Sequence, residues 1–305
     1  MVSPIKTVAV LGGSGNLGPF IVQELVAAGF AVTGVTREAS TNSTPKFPDG
    51  LPVKSVDYGS LDALKMAFDG QDAVVSIVGA PGIGAQKLAV DAALAAGVKR
   101  FIPSEFGINT RKVRGTPIGK IVAGKIDVVD YLQEKAKKNP SFTWTGLSTG
   151  LFFDVALKIG AAGINLKDKT ATVIDSGNEK WQASQRSHIG KAVAAILHHP
   201  EETANKYLGT ASFNLSQNEL IDLVEELTGV KLTVTHASSA DVQKAGEEKL
   251  AQGDFRAFLD FLRAHNHADG AGNALTGGAN ELIGLPYEDL REVVKGLLPS
   301  STGDL

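Results

Sequence analysis

The chain of 305 residues contains no cysteine, which excludes disulfides and thiolate catalysis. It has no marked excess of either charge. Thirty Lys and Arg stand against 33 Asp and Glu, for a formal net charge of −3, so no basic face for electrostatic binding of nucleic acid is implied. It has no run of 18 apolar residues, so no membrane span is expected. Met1 to Lys6 lead directly into the first apolar run, which leaves no room for a signal peptide, and a cytoplasmic protein is expected. No internal repeat is evident. The length suffices to bury a large core, as one domain with an elaboration or as two lobes.

What is present begins at Val8-Ala9-Val10-Leu11, an apolar, mostly β-branched run of the kind found in buried parallel strands. It enters a loop with glycines at Gly12, Gly15 and Gly18, and Pro19 to Ala28 then read as a helix. Strand, glycine turn and helix place a pyrophosphate at a helix N-terminus. Gly12 permits the tight turn, Gly15 removes a side chain where phosphates approach, and Gly18 allows close packing of the helix on the strand. Ser14 and Asn16 offer hydrogen bonds to phosphate, and Leu17 completes the loop. A second apolar run, Phe30 to Thr36, ends at Arg37. The ribose 2′ group arrives at that strand end, and a forked, permanently charged guanidinium there suits a 2′-phosphate. NADP(H) is therefore expected, with Ser40 and Lys46 as helpers from the following loop.

Strands and helices alternate through the first half, which predicts an α/β fold: a Rossmann-type doubly wound parallel sheet with a smaller C-terminal α+β substrate lobe. The expected division is a dinucleotide-binding domain over 1–150 and a mainly substrate-binding lobe over 151–305. A helix near 187–199 returns to the first domain. Single helices are predicted over Ile118–Lys138 and Ala240–Arg263. The Gly-, Ala- and Asn-rich stretch Asp269–Gly284 reads as a flexible loop over the site. At the edge of the strand Asp72–Gly79, Val78, Gly79 and Ala80 lie where the cofactor passes closely.

Ligands bind beyond the carboxyl ends of such strands, so Ser104 and the helix after it face the nicotinamide. A Tyr-x-x-x-Lys match at Tyr131 and Lys135 falls too late on that helix, about two turns past the cofactor end. Lys125 is better placed, and four residues before it stands Ile121. The lysine is kept and the phenol is absent, so Lys125 is the candidate for proton transfer and for a contact to the cofactor. Phe152 and Phe153, just after the sixth strand, are candidates for an apolar substrate wall, or equally for core. The stripe Phe255, Phe258, Leu259, Phe261 and Leu262 reads as core first and as substrate wall second. His265-Asn266-His267 reads as a solvated loop rather than a metal site, and no metal is expected.

Gly-Gly-Ser-Gly-Asn-Leu-Gly at 12–18, Thr36-Arg37 and the string Arg100-Phe-Ile-Pro-Ser-Glu-Phe-Gly107 resemble the NmrA-like and isoflavone-reductase-like branch of the atypical short-chain dehydrogenases. The resemblance runs from residue 6 to about 215 and is fainter beyond. It implies NADPH as cofactor, Arg37 at the 2′-phosphate, and Lys125 as the general acid or base on the helix after Pro-Ser-Glu-Phe-Gly. The plant enzymes of the branch carry a longer segment after that string, and their substrate-lobe residues have no match here. The expected activity is NADPH-dependent reduction of a small aromatic or hydrophobic substrate by a monomer or homodimer. The alternative is an NmrA-like NADP-binding redox sensor or transcriptional co-regulator without turnover.

Overall fold

A computed structural model describes residues 4–38, 47–48 and 50–298. The first half runs β1 (Thr7–Leu11), α1 (Gly18–Ala27), β2 (Ala31–Arg37), β3 (Val53–Val56), α2 (Leu61–Phe68), β4 (Ala73–Ser76), a 3₁₀ turn (Ala80–Ala85), α3 (Gln86–Ala95), β5 (Arg100–Ile102), α4 (Pro117–Ile121), α5 (Ala123–Lys138) and β6 (Thr143–Ser148). The second half runs β7 (Leu151–Phe152), α6 (Phe153–Lys158), β8 (Ile164–Asn165), β9 (Thr170–Ile174), β10 (Trp181–Ser184), α7 (Arg186–His198), β11 (Lys206–Gly209), β12 (Phe213–Leu215), α8 (Gln217–Thr228), β13 (Thr233–Ala237), α9 (Ser239–Ala251), α10 (Ala257–His267), α11 (Ala279–Leu282) and α12 (Leu290–Leu297).

Seven strands form one sheet in the order β11-β6-β5-β4-β1-β2-β3, and every pairing within it is parallel. Its central strands β1 and β4 are largely apolar because helices cover both faces. Ile21, Val22 and Leu25 of α1 and Ile189 and Val193 of α7 pack on one face with Val8 and Val10. Phe68 of α2, Val90 of α3 and Leu132 of α5 pack on the other with Ala9 and Leu11. The sheet is thus the doubly wound Rossmann type. The crossover between its two halves, at β1 and β4, opens a crevice at the carboxyl ends of the strands.

One charge is buried in the sheet. Arg100 of β5 is 1% exposed. Its guanidinium donates to the hydroxyls of Thr143, Thr145 and Thr203 at 2.7, 3.0 and 2.9 Å and to the carbonyl of Pro200. Burial lowers its pKa to about 10. The fork joins β5, β6 and the segment that leads into β11, so it orders the sheet on the side that carries Ser104.

Two small three-stranded sheets, β12-β10-β7 and β13-β9-β8, build the second lobe. Its core gathers Phe153, Val173, Trp181, Phe213 and Leu220. Three expectations fail here. The helix expected over Ile118–Lys138 is two helices, because Val122 takes φ −95°, ψ 15°. The two parts bury different faces: Ile118 packs with Phe261 of α10, whereas Val128, Val129 and Leu132 pack on the sheet. The helix expected over Ala240–Arg263 is likewise two. Gly253 takes the left-handed φ of +74°, and the chain folds back so that the Phe261 ring lies against Gly246. The stretch Asp269–Gly284 does not lie over the crevice. Glu179 accepts from the amides of Gly270 and Gly272 at 2.9 and 2.7 Å, and Asn214 donates to Leu275 O at 2.9 Å. Asn280 is buried against Ala211.

Candidate functional site

A cleft of about 920 Å³ opens at the carboxyl ends of β1, β4 and β5. Gly15, Asn16, Leu17, Val78, Gly79 and Ser104 line its sheet side. Ile121, Gly124 and Lys125 come from the α4–α5 junction. Leu151, Phe152, Val155, Phe258, Leu259 and Leu262 close the far side. Of the site residues expected from the sequence, Gly15, Asn16, Leu17, Val78, Gly79, Ser104, Lys125 and Phe152 line this cleft.

The glycines of the loop have different tasks. Gly12 takes φ +85° and donates its amide to Val35 O at 3.0 Å. A Cβ at Gly18 would stand 2.0 Å from the carbonyl oxygen of Gly13. Gly18 therefore serves closure of the loop on itself rather than packing on the strand. At Gly15 the nearest atom to such a Cβ is Gly12 O at 3.5 Å. Among the described residues nothing requires glycine there. The open side faces the cleft, as a backbone that admits phosphate oxygens must. Ser14, Gly15 and Asn16 are exposed, and Leu17 is buried at the N-terminus of α1. These residues fit a dinucleotide pyrophosphate.

Arg37 is exposed at the end of β2. Beside it Tyr58 donates to Val35 O at 2.8 Å; burial raises the phenol to about 12 against the pull of a backbone hydrogen bond and of the Arg37 charge. Ser40 and Lys46 lie outside the described residues. Gly79 precedes the 3₁₀ turn that Ala80 opens. Ser104 is buried, donating its amide to Gln86 Oε1 at 2.9 Å and its hydroxyl to Val78 O at 2.8 Å. It ties the exit of β5 to that of β4, and it reaches the cleft.

Lys125 is half-buried on the first turn of α5. Its ammonium donates to Glu105 O at 2.5 Å. Burial lowers its pKa from 10.5, and the Glu105 carboxylate opposes that shift. Glu105 is 1% exposed. Its carboxylate accepts from Thr110 Oγ1 at 2.5 Å and from Tyr207 Oη at 2.6 Å. Burial, then the neighbouring carboxylate, holds the Tyr207 phenol well above its usual value. Tyr207 comes from β11 and was not singled out by the sequence.

Phe152 lines the cleft, but Phe153 does not. Phe153 is fully buried edge-on to Phe213 at 4.9 Å, because the first turn of α6 directs it into the second lobe. The apolar stripe divides: Phe261 is core, Phe258, Leu259 and Leu262 line the cleft, and Phe255 is 81% exposed. The Tyr131 and Lys135 pair grips Asp91 of α3, at 2.7 and 2.6 Å, away from the cleft. His265-Asn266-His267 ends α10 rather than forming a solvated loop. His267 is 1% exposed and edge-on to Trp181 at 5.2 Å. Among the described residues no cluster could hold a metal, and no helix is long and apolar enough to cross a membrane. Arg186 and Asp154 were also missed; they meet at 2.7 Å beside Asn16.

A parallel sheet in Rossmann order, with a glycine loop after its first strand and an apolar cleft at the strand ends, defines the class of dinucleotide-binding Rossmann proteins. The chain belongs to the NmrA-like family, whose model matches residues 4–269. The oxidoreductase aprR of Aspergillus flavus is 35% identical over 298 residues, covering 95% of this chain and 98% of the relative. The oxidoreductase poxI of Penicillium oxalicum is 35% identical over 291 residues, covering 93% and 91%. A solved structure of AtPrR2 with NADP+ and (+)pinoresinol superposes with a TM-score of 0.80 at 22% identity, covering 98% of this chain and 100% of that one. The chain is an oxidoreductase of the isoflavone-reductase-like kind.

Proposed function

We propose that the protein is an NADPH-dependent reductase of small aromatic or otherwise hydrophobic substrates, with Lys125 as general acid/base. One observation carries this reading: among the described residues that line the cleft, Lys125 is the sole ionisable side chain. The glycine loop and the N-terminus of α1 hold the pyrophosphate, and Arg37 takes the 2′-phosphate. Val78, Gly79, Ala80 and Ser104 border the nicotinamide end. NADPH, when bound, supplies the hydride. One N–H of Lys125 is committed to Glu105 O, which orients the remaining two toward an electronegative substrate atom. Ile121, Phe152, Phe258 and Leu262 exclude water and receive an apolar ring. Residues 1–150 thus carry the cofactor, and 151–305 mainly the substrate side.

The test is titration of the protein with NADPH and NADH, followed by assay of NADPH oxidation over a panel of aromatic carbonyls, quinones and benzylic ethers. Tighter binding of NADPH, lost in Arg37→Ala, together with Lys125-dependent turnover, is the expected result. Equal affinity for NADH would defeat the Arg37 assignment. Tight NADPH binding with no hydride transfer across the panel would instead favour a dinucleotide sensor.

A further inference from the structure

Arg186, at the start of α7, bridges two segments that border the cleft. Its Nε donates to Asp154 Oδ2 at 2.7 Å. Its Nη1 donates to the main-chain oxygen of Asn16 at 3.1 Å and also to the Asn16 side-chain oxygen. The guanidinium lies over the Phe20 ring of α1, 4.4 Å from its centroid. The side chains of Arg186 and Asp154 are 20% and 12% exposed, so the pair is largely withdrawn from solvent and its geometry is fixed from three sides.

Charge makes this placement consequential. Residues 12–18 contain no lysine or arginine, and among the described residues Lys125 is the sole cation lining the cleft. A pyrophosphate on the loop would otherwise meet only neutral donors, from backbone amides, Ser14 and Asn16, and the partial charge of α1. Asp154 occupies the Nε edge of Arg186, and Asn16 occupies Nη1. Among the described residues Nη2 makes no hydrogen bond, so one corner of a forked donor remains available beside the phosphate loop. Asn16 is set in the same way. Its Oδ1 is taken by a cation, which leaves its Nδ2 to donate toward the loop's ligand.

We infer that Arg186 is a pyrophosphate-binding residue, held by Asp154 and Phe20 so that it both supplies the positive charge the glycine loop lacks and orients Asn16. This rests on the dinucleotide reading of the cleft. It adds a contact shared by NADPH and NADH, because both carry the same pyrophosphate.

The experiment measures the dissociation constants of NADPH and NADH by fluorescence, for wild type, Arg186→Ala, Arg186→Gln and Arg37→Ala, at several salt concentrations. Arg186→Ala is expected to weaken both dinucleotides by an equal factor, about tenfold or more, as loss of a charge-assisted hydrogen bond does. The dependence of affinity on salt should flatten, which a merely structural change would not cause. Arg37→Ala should weaken NADPH alone. Arg186→Gln keeps most of the side-chain volume without the charge, and provides the same readout should the alanine variant not fold. Unchanged affinity for both dinucleotides in a folded Arg186 variant would overturn the inference. A wild-type protein that binds neither would overturn the dinucleotide reading itself.

Discussion

The ammonium of Lys125 donates to the main-chain carbonyl of Glu105, whose own carboxylate is held by Tyr207 and Thr110. A cation on one side of the loop and a buried anion on the other lock Pro103-Ser104-Glu105 between β4, β11 and α5. The lysine that faces the cleft is therefore part of the same network that shapes it.

Lys125→Ala is expected to lower kcat by about 10²–10⁴, the usual contribution of a positioned proton donor or acceptor. The sign of the pH dependence follows from burial, which lowers the pKa of Lys125 from 10.5. In the reductive direction the ammonium donates, so the rate falls as pH rises through that lowered value. In the oxidative direction the neutral amine accepts, and the same group gives a rate that rises with pH. Steady-state kinetics in both directions should lose this limb in the alanine variant. Unchanged turnover would remove Lys125 from the mechanism.

Glu105→Gln keeps an acceptor for Tyr207 and Thr110 but removes the charge that opposes the depression of the Lys125 pKa. The kinetic limb should then move to lower pH, with little loss of stability. Glu105→Ala leaves the buried hydroxyls of Thr110 and Tyr207 only each other, at 3.3 Å, and denaturant unfolding should show a loss of about 1–3 kcal/mol. A Gln variant whose pH profile matches wild type would mean that Glu105 acts only as a structural acceptor.

Gly15 and Gly18 separate ligand constraint from folding constraint. In Gly18→Ala the new methyl would stand 2.0 Å from Gly13 O, and a loss of about 3 kcal/mol is expected from overpacking against backbone. Gly15→Ala meets nothing closer than 3.5 Å and should match or exceed wild-type stability by up to about 1 kcal/mol. It should nonetheless bind NADPH at least tenfold more weakly, since the methyl occupies the open side of the loop. Calorimetry with and without NADPH distinguishes the two; unimpaired binding by Gly15→Ala would contradict phosphate approach at this point.

Local chemistry made part of this site readable. Gly12, Gly15 and Gly18 follow an apolar strand directly, and Lys125 stands early on the helix after the Pro-Ser-Glu-Phe-Gly string. Arg186 was invisible because its partner Asn16 is 170 residues away, and nothing in Arg186-Ser-His marks it. Tyr207 meets Glu105 from 102 residues away on a strand too short to announce itself. Phe152 and Phe153 are adjacent and chemically identical, and only the turn from β7 into α6 decides that one faces the cleft and the other the core. The helix breaks at Val122 and Gly253 were missed as well. At Val122 no glycine or proline marks the stop, and the two parts simply pack on different partners; at Gly253 the left-handed glycine itself is the stop signal, read through as helix interior.

His267 makes stability depend on pH. It is 1% exposed, packed on Trp181, and burial lowers its pKa from 6.5 to about 3. In the unfolded chain it takes up a proton below about pH 6.5, while in the fold it stays neutral down to about pH 3. Between those values the unfolded state binds more protons, so stability falls as pH falls. The full contribution is present above pH 6.5 and is lost at about 1.4 kcal/mol per pH unit below it. His267→Phe, which keeps a ring against Trp181 and cannot titrate, should reduce the slope of unfolding free energy against pH by that amount between pH 4 and 6. Urea titrations across this range decide the matter, and an unchanged slope would mean that His267 is protonated within the folded protein.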